Sequence, residues 1–391
     1  LLVTALIGLA LITRLSRELR DPYLQKLGYV YVVKILLVLL VLRFGWIADL
    51  FQGFGDVGYD PQRYYYSAGN LAASNFSMEV LPNLNYTGIL FYFGAVFSLF
   101  GHNPVAPALV NVFVTLLATL SLIRVGYMIK TQRDRRDWLL GLCMIIPEVI
   151  WYDALTSRET LAMSMIVISV LSVGGYLIRK PGDRFKFMRA FAAVPALFLL
   201  AIIRPPMLIP VLGSIVLFFL TLRMRGKQRL VGIVLIGLAV LIFILSPFLL
   251  RSLKSYRYEY TGLLDFDERA DRVRALSKYS WSERSIGWML IPDSRLEAIV
   301  FTPARLFIYL VYPIPNISVD LSGLANARWL AWQDFFVQFS AFIYLALFPL
   351  AIASLIDSIR EQKSRNAFVL QVPYWLTSIA IAVGNLTVHG R

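Results

Sequence analysis

Long apolar segments separated by short polar ones run the length of the chain. The main apolar segments cover residues 28–48, 104–129, 138–152, 160–178, 190–203, 207–222, 229–249, 333–356 and 367–384. Several of them approach or exceed the ~20 residues that an α-helix needs to cross the hydrocarbon core of a bilayer. Together with the apolar start of the chain, this pattern predicts an all-α, polytopic transmembrane bundle with about ten crossings.

Two further apolar segments, residues 86–101 and 298–314, would break the alternation of sides if they crossed the bilayer fully. We therefore expect both to be interfacial or re-entrant helices on the outer side. Backbone that is half inserted in a membrane survives only where protein or a water-filled cavity surrounds it. The pattern thus predicts a cavity that opens to the outside.

We expect one transmembrane domain over residues 1–391. Residues 49–103 form a first external loop with interfacial helices, and residues 250–332 form an external region with amphipathic helices. The chain begins LLVTALIGLALIT, with neither Met nor a basic stretch before the apolar run, and it ends AVGNLTVHGR. Both features predict that the terminal helices are incomplete.

Composition agrees with a membrane protein: 58% of the 391 residues are hydrophobic and 16% are charged, against roughly a quarter charged in soluble proteins. The only cysteine is Cys143, and the only histidines are His102 and His389. One cysteine excludes an internal disulfide framework and a CxxC motif, and with two histidines we do not expect a histidine-based metal site.

Charge is distributed unevenly along the chain, whose net charge is +14. Five short segments carry 20 Lys and Arg against 7 Asp and Glu; they are residues 14–27, 130–137, 179–189, 223–229 and 357–365. Short loops rich in Lys and Arg lie on the cytoplasmic side, so this charge indicates topology and not a nucleic-acid partner. The remaining polar segments fall on the outer side.

The first external segment reads GFGDVGYDPQRYYYSAGN. A carboxylate at Asp56 or Asp60 could deprotonate a hydroxyl or hold a cation, and Arg63 is the only base nearby. The structural alternative is that Asp60 caps a helix over residues 61–72, with Pro61 in its first turn. Tyr64 and the two tyrosines after it would then form an aromatic belt at the interface.

A second outer turn lies within PEVIWYDALTSRE, residues 147–159, where Glu148, Asp153, Arg158 and Glu159 crowd together. Ser157 could cap the following helix, with Glu159 favoured by its dipole, and capping alone could explain both. If this turn faces the first external loop across a cavity, however, the two would form a site.

Arginine also stands at a membrane boundary in AIIRPPMLIP, as Arg204. A charge at that depth is costly unless it is paired or solvated, and a guanidinium suits phosphate capture. The alternative is that Arg204 only snorkels to the interface from a helix hairpin.

These residues resemble a family. Asp60-x-x-x-Tyr64-x-x-x-Ala68-x-x-Leu71, PNLNYTGILFYFGAVFSLFGHNP and the Pro147 to Ser-Arg-Glu run are similar to segments of the GT-C membrane glycosyltransferases. That family includes protein mannosyltransferases and lipid A aminoarabinose transferases, and it uses polyprenyl-phosphate-linked sugars. The final His389-Gly-Arg391 resembles the start of a further family motif, here cut short. Pro61 departs from the family's usual acidic pair.

The resemblance implies a GT-C-type fold in a bacterial or archaeal inner membrane, with an active site facing outward. It implies Asp60 as catalytic base, with Asp56 and Glu159 in support. Substrate-binding candidates are Arg158, Arg204, Arg63, Tyr64, His389 and Arg391. No metal is needed if arginine neutralises the departing phosphate, and a divalent cation is the alternative.

The implied partners are a polyprenyl-phosphate-linked sugar, the lipid bilayer and a glycan, glycolipid or protein acceptor. Two other functions stay open at this point. One is a polysaccharide polymerase or O-antigen ligase, which would use a glycan on a lipid diphosphate. The other is a non-enzymatic lipid or glycolipid transporter, which predicts inverted repeats and intramembrane charges that face both sides; the sequence shows neither.

Overall fold

A computed structural model describes residues 2–43, 60–80, 87–129, 137–178, 190–204, 207–221 and 329–360, with isolated residues between 233 and 304. In these ranges the chain is helical and contains no β-strand. The α-helices are α1 (Leu2–Leu19), α2 (Lys26–Arg43), α3 (Asp60–Ala73), α4 (Thr87–Phe100), α5 (Val105–Ile129), α6 (Pro147–Ala154), α7 (Glu159–Ile178), α8 (Ala193–Ile203), α9 (Leu208–Thr221) and α10 (Trp329–Arg360). Short 3-10 helices cover Pro22–Gln25, Met78–Val80 and Asp137–Ile145.

Three helical segments are long and apolar enough to cross a membrane: Pro22–Leu42, Val105–Met128 and Glu159–Ile178. Val105–Met128 and Glu159–Ile178 coincide with the predicted segments 104–129 and 160–178, and Pro22–Leu42 overlaps the predicted segment 28–48. The prediction of a helical protein with transmembrane segments is confirmed at this level. The number of ten crossings remains a prediction, because residues 229–249 and 367–384 lie outside the described ranges.

Helices α5 and α7 form the centre of the described bundle. In their most apolar stretches, 72% and 83% of the residues are buried inside the protein, against 44% for α2. Serines line α7, and the Ser169 hydroxyl donates to the Met165 carbonyl one turn earlier at 2.6 Å. Small residues let helices approach closely within a membrane, which explains how α5, α8 and α9 can all pack on α7.

The predicted crossing 138–152 is a broken segment in the structure. A 3-10 helix ends at Ile145, and α6 begins at Pro147 because proline fits the first turn of a helix. Trp138 lies beside Lys26 at one end of α2, whereas Asp153 contacts Lys34 near the middle of α2. The two helical pieces have lengths of about 18 and 12 Å, and the crossing over residues 138–152 remains a prediction.

The predicted hairpin 190–203/207–222 is present as α8 and α9, but these helices have 11 and 14 residues. The described part of α9 stops where the described range ends at residue 221, and α8 is about 16 Å long, shorter than a full span. The apolar segment 86–101 is the 14-residue helix α4, which packs along α3. Between them the chain turns at Asn75 and Phe76, both with φ near +60°. Most of the predicted external region 250–332 lies outside the described residues.

Candidate functional site

The start of α3 and the turn between α6 and α7 meet in the structure. The Thr156 hydroxyl donates to the Pro61 carbonyl at 2.5 Å, a contact between residues 95 positions apart in the chain. Pro61 directly follows Asp60, and Thr156 precedes Arg158 and Glu159. The carboxylate predicted in the first external loop therefore belongs to the same region as the Arg-Glu pair of the second turn.

Arg158 and Glu159 form the entry to α7. The Arg158 carbonyl accepts from the Ala162 amide at 2.8 Å, so Arg158 occupies the N-cap position. The hypothesis that Ser157 caps this helix is wrong, because its hydroxyl donates back to the Tyr152 carbonyl at 3.3 Å. Arg158 is only 6% exposed, and its Nε lies 3.7 Å from Oε1 of the half-buried Glu159. This buried guanidinium contributes positive charge beside the start of α3.

The turn is recessed within the bundle. On α5, the Asn111 amide donates to the carbonyls of Asp153 at 3.3 Å and Leu155 at 3.0 Å. These are among the last carbonyls of α6, which have no partner inside their own helix. Asn111 lies about 9 Å along α5 from its first residue, Val105. The turn therefore lies beside the second turn of α5 or deeper, and not beside the first residue of that helix.

A buried ion pair lies directly behind the turn. Lys34 Nζ is 2.5 Å from Asp153 Oδ2, and both side chains are 0% exposed. The Thr115 hydroxyl on α5 lies 3.1 Å from each oxygen of the same carboxylate and 3.0 Å from the Asn111 carbonyl, so its single proton is shared among these acceptors. Thr160 on α7 also hydrogen-bonds to the carboxylate. One carboxylate thus joins α2, α5, α6 and α7.

The expectation that Glu148 and Asp153 crowd the outer turn together with Arg158 and Glu159 is wrong. Asp153 points to Lys34, and the Glu148 carboxyl is hydrogen-bonded to Tyr344 of α10. The Glu148 amide also donates to Ser340 Oγ of α10 at 2.8 Å. Only Arg158 and Glu159 remain as charges at the turn itself.

Sequence reasoning missed Lys34, Asn111 and Thr115. Lys34 carried a detectable signal, since it is the only charged residue of the apolar run from 28 to 42 and an intramembrane lysine requires a partner. Asn111 and Thr115 carried none, because polar uncharged residues are common in transmembrane helices. Their role depends on which carbonyls and carboxylates the folded chain places opposite them.

The three tyrosines of α3 do not share one surface. Tyr64 and Tyr65 are buried, at 2% and 8% exposure, and only Tyr66 is exposed. The prediction that all three form an interfacial belt is therefore wrong for the first two. The Tyr65 ring stacks on His102 at a centroid distance of 4.5 Å. Burial, and to a lesser extent the neighbouring Tyr66, raises the pKa of the Tyr65 hydroxyl.

The other predicted binding residues are spread over the molecule. Arg63 is exposed on α3. Arg204 is half-buried and ends α8, where its amide donates to the Leu200 carbonyl at 2.8 Å. Two residues before Arg204, Ile202 brings α8 against Gly88 at the start of α4. Asp56, His389, Arg391 and the Asp60 side chain lie outside what the structure describes.

Within the described ranges, no group of three His, Cys, Asp or Glu side chains is close enough to hold a metal ion. No protein-family model, curated protein or solved structure matches this chain. The fold and the helices α2, α5 and α7 define the class as a helical membrane protein. Among the described residues, the turn between α6 and α7 joins polar groups from several helices, with Pro61 on one side and Lys34 on the other.

Proposed function

We propose that the chain is a membrane glycosyltransferase of the GT-C type, which moves a sugar from a polyprenyl-phosphate donor to a hydroxyl acceptor. The acceptor is a glycolipid, a polysaccharide or a protein on the outer face of a bacterial or archaeal inner membrane. The observation that carries the proposal is the hydrogen bond from Thr156 to Pro61. It holds a first-loop carboxylate position, Asp60, beside the buried Arg158 and its neighbour Glu159.

The chemistry needs a base and a positive charge on opposite sides of the reacting carbon. Asp60, or Asp56, takes the proton of the acceptor hydroxyl as its oxygen attacks the anomeric carbon. The new carbon–oxygen bond forms as the bond to the phosphate oxygen breaks, and polyprenyl phosphate leaves with the electron pair. A single displacement of this kind inverts the anomeric configuration.

Arg158 is the group proposed to stabilise the departing phosphate. A guanidinium offers several donors in a fixed plane that matches phosphate oxygens. Because Arg158 is almost fully buried, its charge acts in a medium of low polarity, where fixed charges contribute more to catalysis than in water. Arg204 is assigned to the donor phosphate before reaction, and Glu159 orients Arg158.

The test uses purified protein in proteoliposomes with polyprenyl phosphates that carry radiolabelled hexose or pentose, plus a bacterial glycolipid extract as acceptor. Asp60→Asn and Asp56→Asn are compared with Glu79→Gln, which removes an exposed carboxylate from the same loop. We expect at least one Asp variant to lose labelled product and the Glu79→Gln control to form as much product as the wild type. Full activity of both Asp variants would refute the assignment of the base.

A transporter of lipids or glycolipids is the second candidate, because the chain carries charges within its apolar helices, here the Lys34–Asp153 pair, whose two side chains are fully buried against each other. Labelled donor that crosses the bilayer without any transfer or hydrolysis would favour that candidate. A polymerase or ligase is distinguished by donor choice, since it would use a glycan on a lipid diphosphate and leave the monophosphate sugars intact.

A further inference from the structure

We propose that Lys34 and Asp153 are a positioning pair for the site, which fixes the turn from Leu155 to Arg158 at the correct distance from α3. The inference rests on the proposed function, which assigns Arg158 and Glu159 to the reaction but gives no role to Lys34. Neither residue of the pair would touch substrate, because both are fully buried.

The first support is the direction of the contacts. Asp153 is two residues before Leu155, whose carbonyl accepts from Asn111, and three residues before Thr156, whose hydroxyl reaches Pro61. The turn is therefore held from both sides: Lys34 and Asn111 bind the end of α6, and α3 binds Thr156. The four residues from 155 to 158 lie between α6 and α7, outside any helix, so no regular helical hydrogen-bond pattern fixes the turn.

The second support is the chemistry of the pair. An unpaired charge cannot stay ionised at such a depth, so Lys34 and Asp153 constrain each other to one arrangement. The carboxylate also accepts from Thr115 and Thr160, and Thr160 directly follows Glu159. The pair thus fixes the residues on both sides of Arg158 and Glu159 relative to α2 and α5.

The third support is that a simpler device would suffice for stability alone. Replacing a buried ion pair by uncharged residues of similar volume is often neutral or stabilising, so the pair is not needed merely to keep α2 and α6 together. Apolar contacts hold two helices together but do not fix the rotation of one helix about its own axis. A salt bridge supported by two hydroxyl groups sets the rotation of the end of α6, and therefore the direction in which the turn points.

The experiment separates positioning from stability with the neutral double variant Lys34→Met/Asp153→Asn, which strands no charge. The full chain is studied in nanodiscs, and kcat and KM are measured for the polyprenyl-phosphate sugars per amount of monodisperse protein. Amide hydrogen–deuterium exchange of residues 155–161 is followed in parallel. The control is Arg124→Met/Glu18→Gln, which neutralises another ion pair, with a 2.7 Å contact far from the turn.

We expect the double variant to unfold within about 4 °C of the wild-type temperature, with kcat reduced about tenfold or more and the donor KM nearly unchanged. Exchange should be faster in residues 155–161 only, and the control should match the wild type throughout. Unchanged kcat and unchanged exchange in a stable double variant would overturn the inference, as would faster exchange with unchanged kcat.

The double variant could fail to fold, and the wild type could transfer no sugar; each result has its own consequence. If the double variant fails to fold, Thr115→Val removes one hydroxyl from the same carboxylate and leaves the pair intact; a loss of kcat of about tenfold with faster exchange supports positioning, and no change in either overturns it. If the wild type transfers none of the sugars, the proposed function fails by itself. The exchange measurement then still decides whether the pair fixes the turn.

Discussion

The stability of the described bundle should depend strongly on Lys34. In Lys34→Met the side chain keeps its length, but the carboxylate of Asp153 loses a partner 2.5 Å away in a site where both side chains are 0% exposed. Removing one partner of a buried ion pair typically costs about 3–5 kcal/mol, because the other charge remains without compensation. Thr115 still donates to that carboxylate, so we expect a loss near the lower value.

The double variant Lys34→Met/Asp153→Asn removes both charges, and we expect it to cost about 1 kcal/mol or less. Each single substitution should therefore lower the free energy of unfolding much more than the double substitution does, as expected for two residues that are energetically coupled. The free energy of unfolding is measured in bicelles by titration with SDS, with tryptophan fluorescence as the signal. Arg124→Met serves as the control.

Arg124 pairs with Glu18 at 2.7 Å, but their side chains are 22% and 13% exposed. Water can therefore solvate the carboxylate that is left behind, and the expected cost is about 1 kcal/mol. If Lys34→Met costs no more than Arg124→Met, or if the double variant is as unstable as the singles, the Lys34–Asp153 pair is not the buried, mutually dependent pair described above.

Three other changes test separate parts of the structure. Gly69→Ala should destabilise the protein by about 1–3 kcal/mol, because its methyl group would overlap the His102 ring; His102→Ala in addition should restore most of the melting temperature. Asn111→Leu should cost about 1–3 kcal/mol, since two carbonyls at the end of α6 lose their donor, and it should speed amide exchange there. Arg158→Lys should lower kcat for sugar transfer about 100-fold, because an ammonium lacks the planar donor set of a guanidinium. Glu79→Gln is the control, and a kcat of Arg158→Lys equal to that of the wild type would exclude Arg158 from the reaction.

The sequence predicted the positions of several helices well. The segments 104–129 and 160–178 match α5 and α7 within one residue at each end, because long apolar runs bounded by polar residues have one stable state in a bilayer. The start of α3 at Asp60 followed from Pro61, which fits the first turn of a helix. Local chemistry was sufficient in these cases.

The sequence did not predict how residues 138–158 fold. Apolar composition indicated a crossing. The position of the 3-10 helix and the depth of the turn after α6, however, depend on contacts with α2 and α5. For the same reason, four charges that are close in sequence separate in space: Asp153 binds Lys34, Glu148 binds Tyr344, and Arg158 and Glu159 stay at the turn.

By itself, then, the amino-acid sequence determined that this is a helical membrane protein and where its most apolar helices lie, because the cost of exposing backbone and charge to lipid acts on each segment separately. Only the tertiary structure decided which polar side chains become partners. Lys34, Asn111, Thr115 and Asp153 come from three helices, and their pairing depends on how those helices pack. The contact of Thr156 with Pro61, on which the candidate site depends, is likewise a consequence of that packing.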